Sequence, residues 1–411
     1  MGRKRRLSFA EQFHFSGKEQ EEVPMRTKHK RAYKYRFYPT GEQQRILART
    51  FGCARFVYNY FLRLRKQAYF EEQKSLTYHQ TSALLTALKK QAAYAWLNEV
   101  SCVPPQQALR HLDRAFKNFF QGRAAYPVFK SKRGEQSAEY TTSAFTWDGT
   151  HLTLAKMEEL LALRWSRPLP EGAKPTTVTV TLDTANRYFV SILVEEDITP
   201  LPAMKSMVGL DLGLTSMVVL STGETVGNPR YFAADERKLA KAQRRLARKQ
   251  RGSRNRARAR LRVARVHARI ADRRRDYQHQ LSTRIVRENQ VVCVESLAVK
   301  NMLKNHRLAK SISDVGWGEF VRQLEYKASW YGRTLVKIDR WCPSSKQCFD
   351  CKHVLDSLSL DERFWTCPAC GQFHDRDVNA AKNVLAEGLS ASACGERVRP
   401  GRAKAPAGAA R

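Results

Sequence analysis

Val208-Gly209-Leu210-Asp211-Leu212-Gly213 decides how the second half of this sequence is read. An apolar strand ends on an aspartate, and a glycine follows where the chain must turn tightly. Val291-Val292-Cys293-Val294-Glu295 repeats the arrangement, with four apolar residues before the acid. Open α/β sheets build their sites at that end of their strands. Working outward, Met207–Asp211, Met217–Leu220, Val291–Glu295 and Thr334–Ile338 are strand candidates. Two helical stretches separate them: a long basic one from Glu236 to Glu288, and one through Trp317, Phe320, Leu324, Ala328 and Tyr331. Residues 203–400 are therefore predicted to form an α/β unit.

An acid at the end of one strand is most often a solvated cap. A third acid, Asp377, opens a helix in His374-Asp375-Arg376-Asp377-Val378-Asn379, where an isolated aspartate reads as an N-cap. Taken together the three mean more. A ribonuclease-H-like core needs acids from its first strand, its fourth strand and a later helix at one sheet edge. Clustered carboxylates repel and stay ionised only if cations hold them. Hard oxygen ligands suit Mg²⁺ or Mn²⁺. Two such ions roughly 4 Å apart can activate water and stabilise the leaving oxygen in phosphodiester hydrolysis. The expectation is that Asp211 bridges both ions while Glu295 and Asp377 hold one each. Asp375 competes with Asp377 for the third place.

Cys348-x₂-Cys351, fifteen residues, then Cys367-x₂-Cys370 is the spacing of a four-thiolate zinc ribbon. Four soft thiolates complete a tetrahedron with no open position, so the predicted role of Zn²⁺ is structural. The ribbon is expected over residues 343–373, inserted in the α/β unit. Lys346, Lys352, His353 and Arg363 around it suggest contact with phosphate. Cys342 lies outside the paired pattern.

The formal net charge is +34, which strains a compact chain unless a polyanion neutralises it. Nucleic acid is the usual polyanion. No acidic residue occurs between Arg237 and Arg269, so the long basic stretch forgoes the mixed-sign pairs that support a solvated helix. Arg244, Arg245, Arg248, Arg251 and Arg254 are the expected phosphate clamps. Tyr126-Pro-Val-Phe129 anchors a second contact loop, in which Lys130, Lys132 and Arg133 follow an apolar segment. No apolar run approaches a membrane-spanning length and no signal-peptide core follows Met1. Nine cysteines, an odd number in a long chain, do not make a disulfide framework, which points to a reducing, cytoplasmic setting.

The first half divides in two. Residues 31–40 and 130–200 are predicted to form a small β-barrel, from the alternation of Tyr33, Tyr35 and Phe37 and a hairpin of Thr176–Leu182 and Tyr188–Val194. Residues 41–129 form a helical lobe, opened by a Thr40/Gln43 capping box and interrupted at Pro104-Pro105. Its aromatic residues, among them Tyr58, Tyr60 and Tyr69, read first as core. Residues 1–30 read as a tail with a start at Met1 or Met25, and 401–411 as a disordered tail. Arg3-Lys4-Arg5-Arg6 carries little weight as an address.

Gly209-Leu-Asp211-Leu-Gly213, Val294-Glu295-Ser-Leu297, Trp317-Gly-Glu-Phe320, Pro343-Ser-Ser345, the paired cysteines and His374-Asp-Arg-Asp377-x-Asn379-Ala-Ala occur in an order that resembles the TnpB family. The resemblance runs from about residue 31 to 400 and includes Tyr35-x-Phe37-Tyr38-Pro39, Ala54-Arg-Phe-Val-Tyr58-Asn59, Leu76-Thr-Tyr78 and Thr81-Ser82. It implies a RuvC-like nuclease that carries a guide RNA from the transposon end and cuts double-stranded DNA beside a short motif. It puts the catalytic acids on Asp211, Glu295 and Asp377 and the zinc ligands on the four paired cysteines. Tyr78 and Ser82 are candidates for reading the motif. Relatives without the acids act as RNA-guided repressors, but this chain keeps all three. Two competing readings are an RNA-independent transposase or resolvase and a plain zinc-ribbon RNA-binding protein. The segment before Met25 is the main departure from the family pattern.

Overall fold

The computed structural model describes residues 27–359 and 361–393. The expectations for the N-terminal tail before Thr27, the Arg3–Arg6 cluster, Cys394 and the 401–411 tail lie outside the described residues.

Strand β1 (Thr27–Phe37) buries Tyr33, Tyr35 and Phe37 on one face, as the alternation predicts. Helix α1 (Gly41–Glu72) opens on Thr40, whose side chain and that of Gln43 satisfy each other's backbone N–H groups. Thr77 and Gln80 do the same for α2 (Tyr78–Lys90). Pro104 and Pro105 lie in the first turn of α3 (Val103–Phe120), where a missing N–H costs no helical bond. Val57, Phe61, Leu85, Leu109 and Leu112 form the core of this lobe.

Strands β2 (Gln136–Thr141), β3 (Phe145–Trp147), β4 (Leu152–Leu154), β5 (Leu163–Arg164), β6 (Pro175–Leu182) and β7 (Tyr188–Ile198) follow. The order β2-β6-β7-β1-β5 makes an antiparallel sheet, and β3 pairs with β4. No ladder joins β2 directly to β5 among the described residues; the β3–β4 ribbon stands between them, with the Ala155 N–H donating to the Ala144 carbonyl and the Leu161 N–H to the Leu152 carbonyl, both at 2.9 Å. Leu47 and Phe51 of α1, Val103 of α3 and the β3–β4 ribbon pack on the apolar face of the sheet.

The remaining elements are β8 (Met207–Asp211), β9 (Ser216–Leu220), β10 (Thr225–Gly227), α4 (Tyr231–Ala247), α5 (Arg254–Glu288), β11 (Val291–Glu295), α6 (Val299–Met302), α7 (Ala309–Val315), α8 (Trp317–Tyr331), β12 (Thr334–Ile338), β13 (Phe364–Thr366), β14 (Phe373–Asp375) and α9 (Arg376–Ala393). The second sheet has the order β10-β9-β8-β11-β12. Strands β10, β9 and β8 run antiparallel, whereas β8, β11 and β12 are parallel. The basic stretch is two helices rather than one. Gly252 adopts a left-handed φ of 86° and Ser253 caps α5, so the chain reverses there.

Helix α9 lies on β8 and β11 because glycine lets it approach. A Cβ on Gly209 would stand 2.1 Å from the Ala381 carbonyl oxygen, and one on Gly388 would stand 2.4 Å from Cys293 Sγ. This contact brings the start of α9 to the carboxyl ends of the two strands.

Candidate active site

Asp211 ends β8 and Glu295 ends β11, on neighbouring parallel strands in matched register. Asp377 lies in the first turn of α9. Burial, then the charges of Glu295 and Asp377, push the Asp211 carboxyl up to about 8. Burial also raises Glu295, against a 2.5 Å hydrogen bond donated by Ser344 Oγ. Asp377 pairs with the Arg363 guanidinium at 3.0 Å. Arg363 also reaches Thr215 Oγ1 at 3.4 Å. The Asp375 carboxylate accepts the Asp377 and Val378 N–H groups at 3.0 and 2.9 Å, and so caps α9.

Sequence reading missed what holds Glu295. The Asn379 and Asn383 amides, one turn apart on the buried side of α9, both donate to the Gln347 carbonyl, at 2.8 and 2.6 Å. Asn383 also donates to the Ser344 carbonyl at 2.9 Å, and Asn379 Oδ1 accepts the Phe349 N–H at 2.9 Å. The helix that carries Asp377 therefore clasps both the turn that orients Ser344 and the first cysteine knuckle. The available signal was two asparagines at i, i+4 beside the buried Ala380, Ala381 and Val384.

The four cysteine sulfurs lie within 4.8 Å of one another, a set that can hold Zn²⁺. Burial opposes ionisation of Cys367, but the Ala369 and Cys370 N–H groups bring its thiol down to about 7. His374, which sequence reading left without a role, is buried with Nε2 3.0 Å from Cys348 Sγ. Its ring lies 4.7 Å from that of Trp365.

The nucleic-acid candidates lie apart from the acids in the fold. Arg244, Arg245, Arg248, Arg251 and Arg254 are exposed around the tip of the α4–α5 hairpin. Lys130, Lys132 and Arg133 are exposed on the loop before β2, with Lys130 Nζ 4.4 Å from the Tyr58 ring centre. Tyr78 lines a groove of about 940 Å³ with Arg65, Arg110, Phe116 and Phe120, whereas Ser82 does not line it. Another groove of about 940 Å³, between β1, α5 and α8, was not foreseen. It gathers Arg31, Lys34, Arg274, Arg275, Arg322 and Lys327 around Glu319. Lys327 is buried and donates 2.7 Å hydrogen bonds to the His279 carbonyl, Ser282 Oγ and Thr283 Oγ1.

Residues 190–306 match a family model of insertion-sequence proteins described as "Probable transposase". Residues 317–384 match the Cas12f1-like TNB domain, a span that includes the cysteine cluster and Asp377. A protein of Streptomyces pristinaespiralis named "Putative RNA-guided DNA endonuclease" is 58% identical over 91% of this chain and 93% of its own length. The chain belongs to the TnpB family. An Escherichia coli (strain K12) relative, "Putative RNA-guided DNA endonuclease InsQ", is 33% identical over 90% of this TnpB-family chain and 95% of its own. In a solved Cas12f1–sgRNA–target DNA complex, the matched chain has a TM-score of 0.51 at 12% identity. That match covers 87% of the present chain and 99% of the other, and it speaks for the fold alone. Residues 25–74 match a model described as a helix-turn-helix domain, although the described part of that span holds one strand and one long helix. No helix among the described residues is long and apolar enough to cross a membrane.

Proposed function

We propose that this chain is an RNA-guided DNA endonuclease of an insertion sequence, cutting double-stranded DNA beside a short transposon-associated motif. The observation that carries this reading is the convergence of Asp211, Glu295 and Asp377 at the carboxyl ends of the adjacent strands β8 and β11. Three antiparallel strands followed by two parallel ones, with a final helix across them, is the arrangement expected of a RuvC-like core. The names of the S. pristinaespiralis and E. coli relatives support the same activity.

The donor set fits divalent metal. Three carboxylates are hard ligands, and the burial and neighbouring acids that push the Asp211 carboxyl up to about 8 are what a bound cation would offset. Asp211, Glu295 and Asp377 would hold Mg²⁺ or Mn²⁺, which supplies an activated water and neutralises charge on the scissile phosphate. Ser344 orients Glu295 through its hydrogen bond, and Asn379 and Asn383 fix Ser344. Arg363 holds Asp377 and offers a guanidinium to phosphate. Cys348, Cys351, Cys367 and Cys370 would hold a structural Zn²⁺ that ties the ribbon to α9.

The grooves and the α4–α5 tip fit guide RNA and target DNA as partners, since both present cations in excess over acids. The five tip arginines, Lys130, Lys132 and Arg133 are proposed phosphate contacts, and Tyr78 and Ser82 proposed contacts to the motif. The test is to sequence RNA that co-purifies from cells carrying the native locus and to assay the complex on matched DNA. One abundant RNA from the element's end, required for Mg²⁺-dependent cutting, is the expected result. Cutting that is unaffected by removing RNA would overturn the guided mechanism.

A further inference from the structure

We infer that His374 is a positioning residue that couples the cysteine cluster to the candidate active site: its Nε2–H donates to Cys348 Sγ and so fixes the start of α9, which carries Asp377. The inference rests on the zinc and divalent-metal readings above and adds a link between the two centres. His374 lies in the middle of β14, which runs directly into α9, with Asp375 capping the helix and Asp377 in its first turn. Its cross-strand partner is Trp365, which packs with Cys348 and Cys367, and both partners are buried. Nε2 stands 3.0 Å from Cys348 Sγ. It is 3.8 Å from Asp350 Oδ2, beyond hydrogen-bond reach, so the sulfur is its partner.

A thiolate that binds metal has lone pairs and no proton to give, so the shared proton belongs to Nε2. Four thiolates outweigh the charge of a single Zn²⁺, and N–H donors offset the excess. Cys348 also accepts the Asp350 and Cys351 N–H groups. Those two donors belong to the knuckle itself, whereas His374 reaches the sulfur from the strand that leads into α9. A second link runs beside it, since the Phe349 N–H of the same knuckle donates to Asn379 Oδ1 at 2.9 Å. The knuckle therefore holds the chain on either side of Asp377, at His374 and at Asn379. Metal on the four sulfurs fixes the knuckle, and these contacts pass its position to the Asp377 carboxylate. Partners that orient ligands in this way commonly change metal affinity by tenfold or more.

The test compares the full-length wild type with H374F, which keeps a ring beside Trp365 but has no donor, and with H374Q, which restores an N–H. Zinc transfer to a chromogenic chelator should be about tenfold faster from H374F. Mn²⁺, followed by calorimetry, should bind H374F about tenfold more weakly than wild type. H374Q should move both values back toward wild type, which packing alone would not do. A third measurement needs no variant. With an NMR-active cadmium isotope in place of zinc, the wild-type His374 Nε2 proton should show scalar coupling to the metal through Cys348 Sγ. Zinc loss from H374F at the wild-type rate, or an Nε2 proton without that coupling, would overturn the hydrogen bond. An Nε2 that lacks a proton and is bonded to cadmium would make His374 a ligand and overturn its positioning role. Faster zinc loss with unchanged Mn²⁺ affinity would overturn the coupling. Wild-type protein that holds no zinc, or no Mn²⁺, would overturn the metal readings themselves, a failure distinct from that of His374.

Discussion

Ser344 is a small residue with a large predicted effect. Its hydroxyl sets the orientation of Glu295, and two asparagines of α9 set its own position. Groups that orient a metal ligand typically govern affinity by tenfold or more. Ser344→Ala should therefore raise the Mn²⁺ dissociation constant at least tenfold in calorimetry, with little change in melting temperature. Unchanged Mn²⁺ binding would remove Ser344 from the site. Lys327 makes a prediction about pH. Burial, then the charges of Arg287 and Arg31, lower its ammonium to about 8. Between about 8 and its ordinary value of 10.5, the unfolded chain keeps a proton that the folded chain has released. Stability from this group therefore rises with pH across that window and is lowest below it. Urea titrations should show Lys327→Met flattening that rise. An identical pH dependence in the variant would contradict the assignment. Asp211, Glu295 and Asp377 are legible in the sequence because each ends or opens an element with a clear apolar pattern. Ser344 and His374 are not, because their hydrogen bonds join segments distant in sequence.

At the scale of elements, the strands of the second sheet can be read to within a residue, since four- and five-residue apolar runs have few other readings. Strand β10, three residues with one buried side chain, carries too little pattern. The basic stretch reads as continuous because arginine density masks Gly252-Ser253, a stop and a cap in succession. The difference matters for function, because the reversal concentrates Arg244, Arg245, Arg248, Arg251 and Arg254 at one exposed tip. Replacing all five with alanine should shallow the salt dependence of nucleic-acid binding by roughly 0.9 per lost phosphate contact, in a plot of log affinity against log salt. An unchanged slope would mean that the tip faces solvent in the complex.

On the whole-molecule scale, the β3–β4 ribbon stands between the two end strands of the first sheet, hydrogen-bonded toward both. Strand alternation specifies which face is buried but not what packs on it, here α1, α3 and that ribbon. The formal charge of +34 points to a polyanion without saying where it would lie. The two grooves and the hairpin tip give it three cationic surfaces, separate from the acids. That separation allows binding and cutting to be tested apart. The most direct measurement compares the wild-type and Asp211→Ala complexes, each loaded with guide RNA, for binding and cutting of matched duplex DNA in Mg²⁺. The account predicts that both bind with similar affinity and that only the wild type cuts. Cutting by Asp211→Ala at the wild-type rate would contradict it.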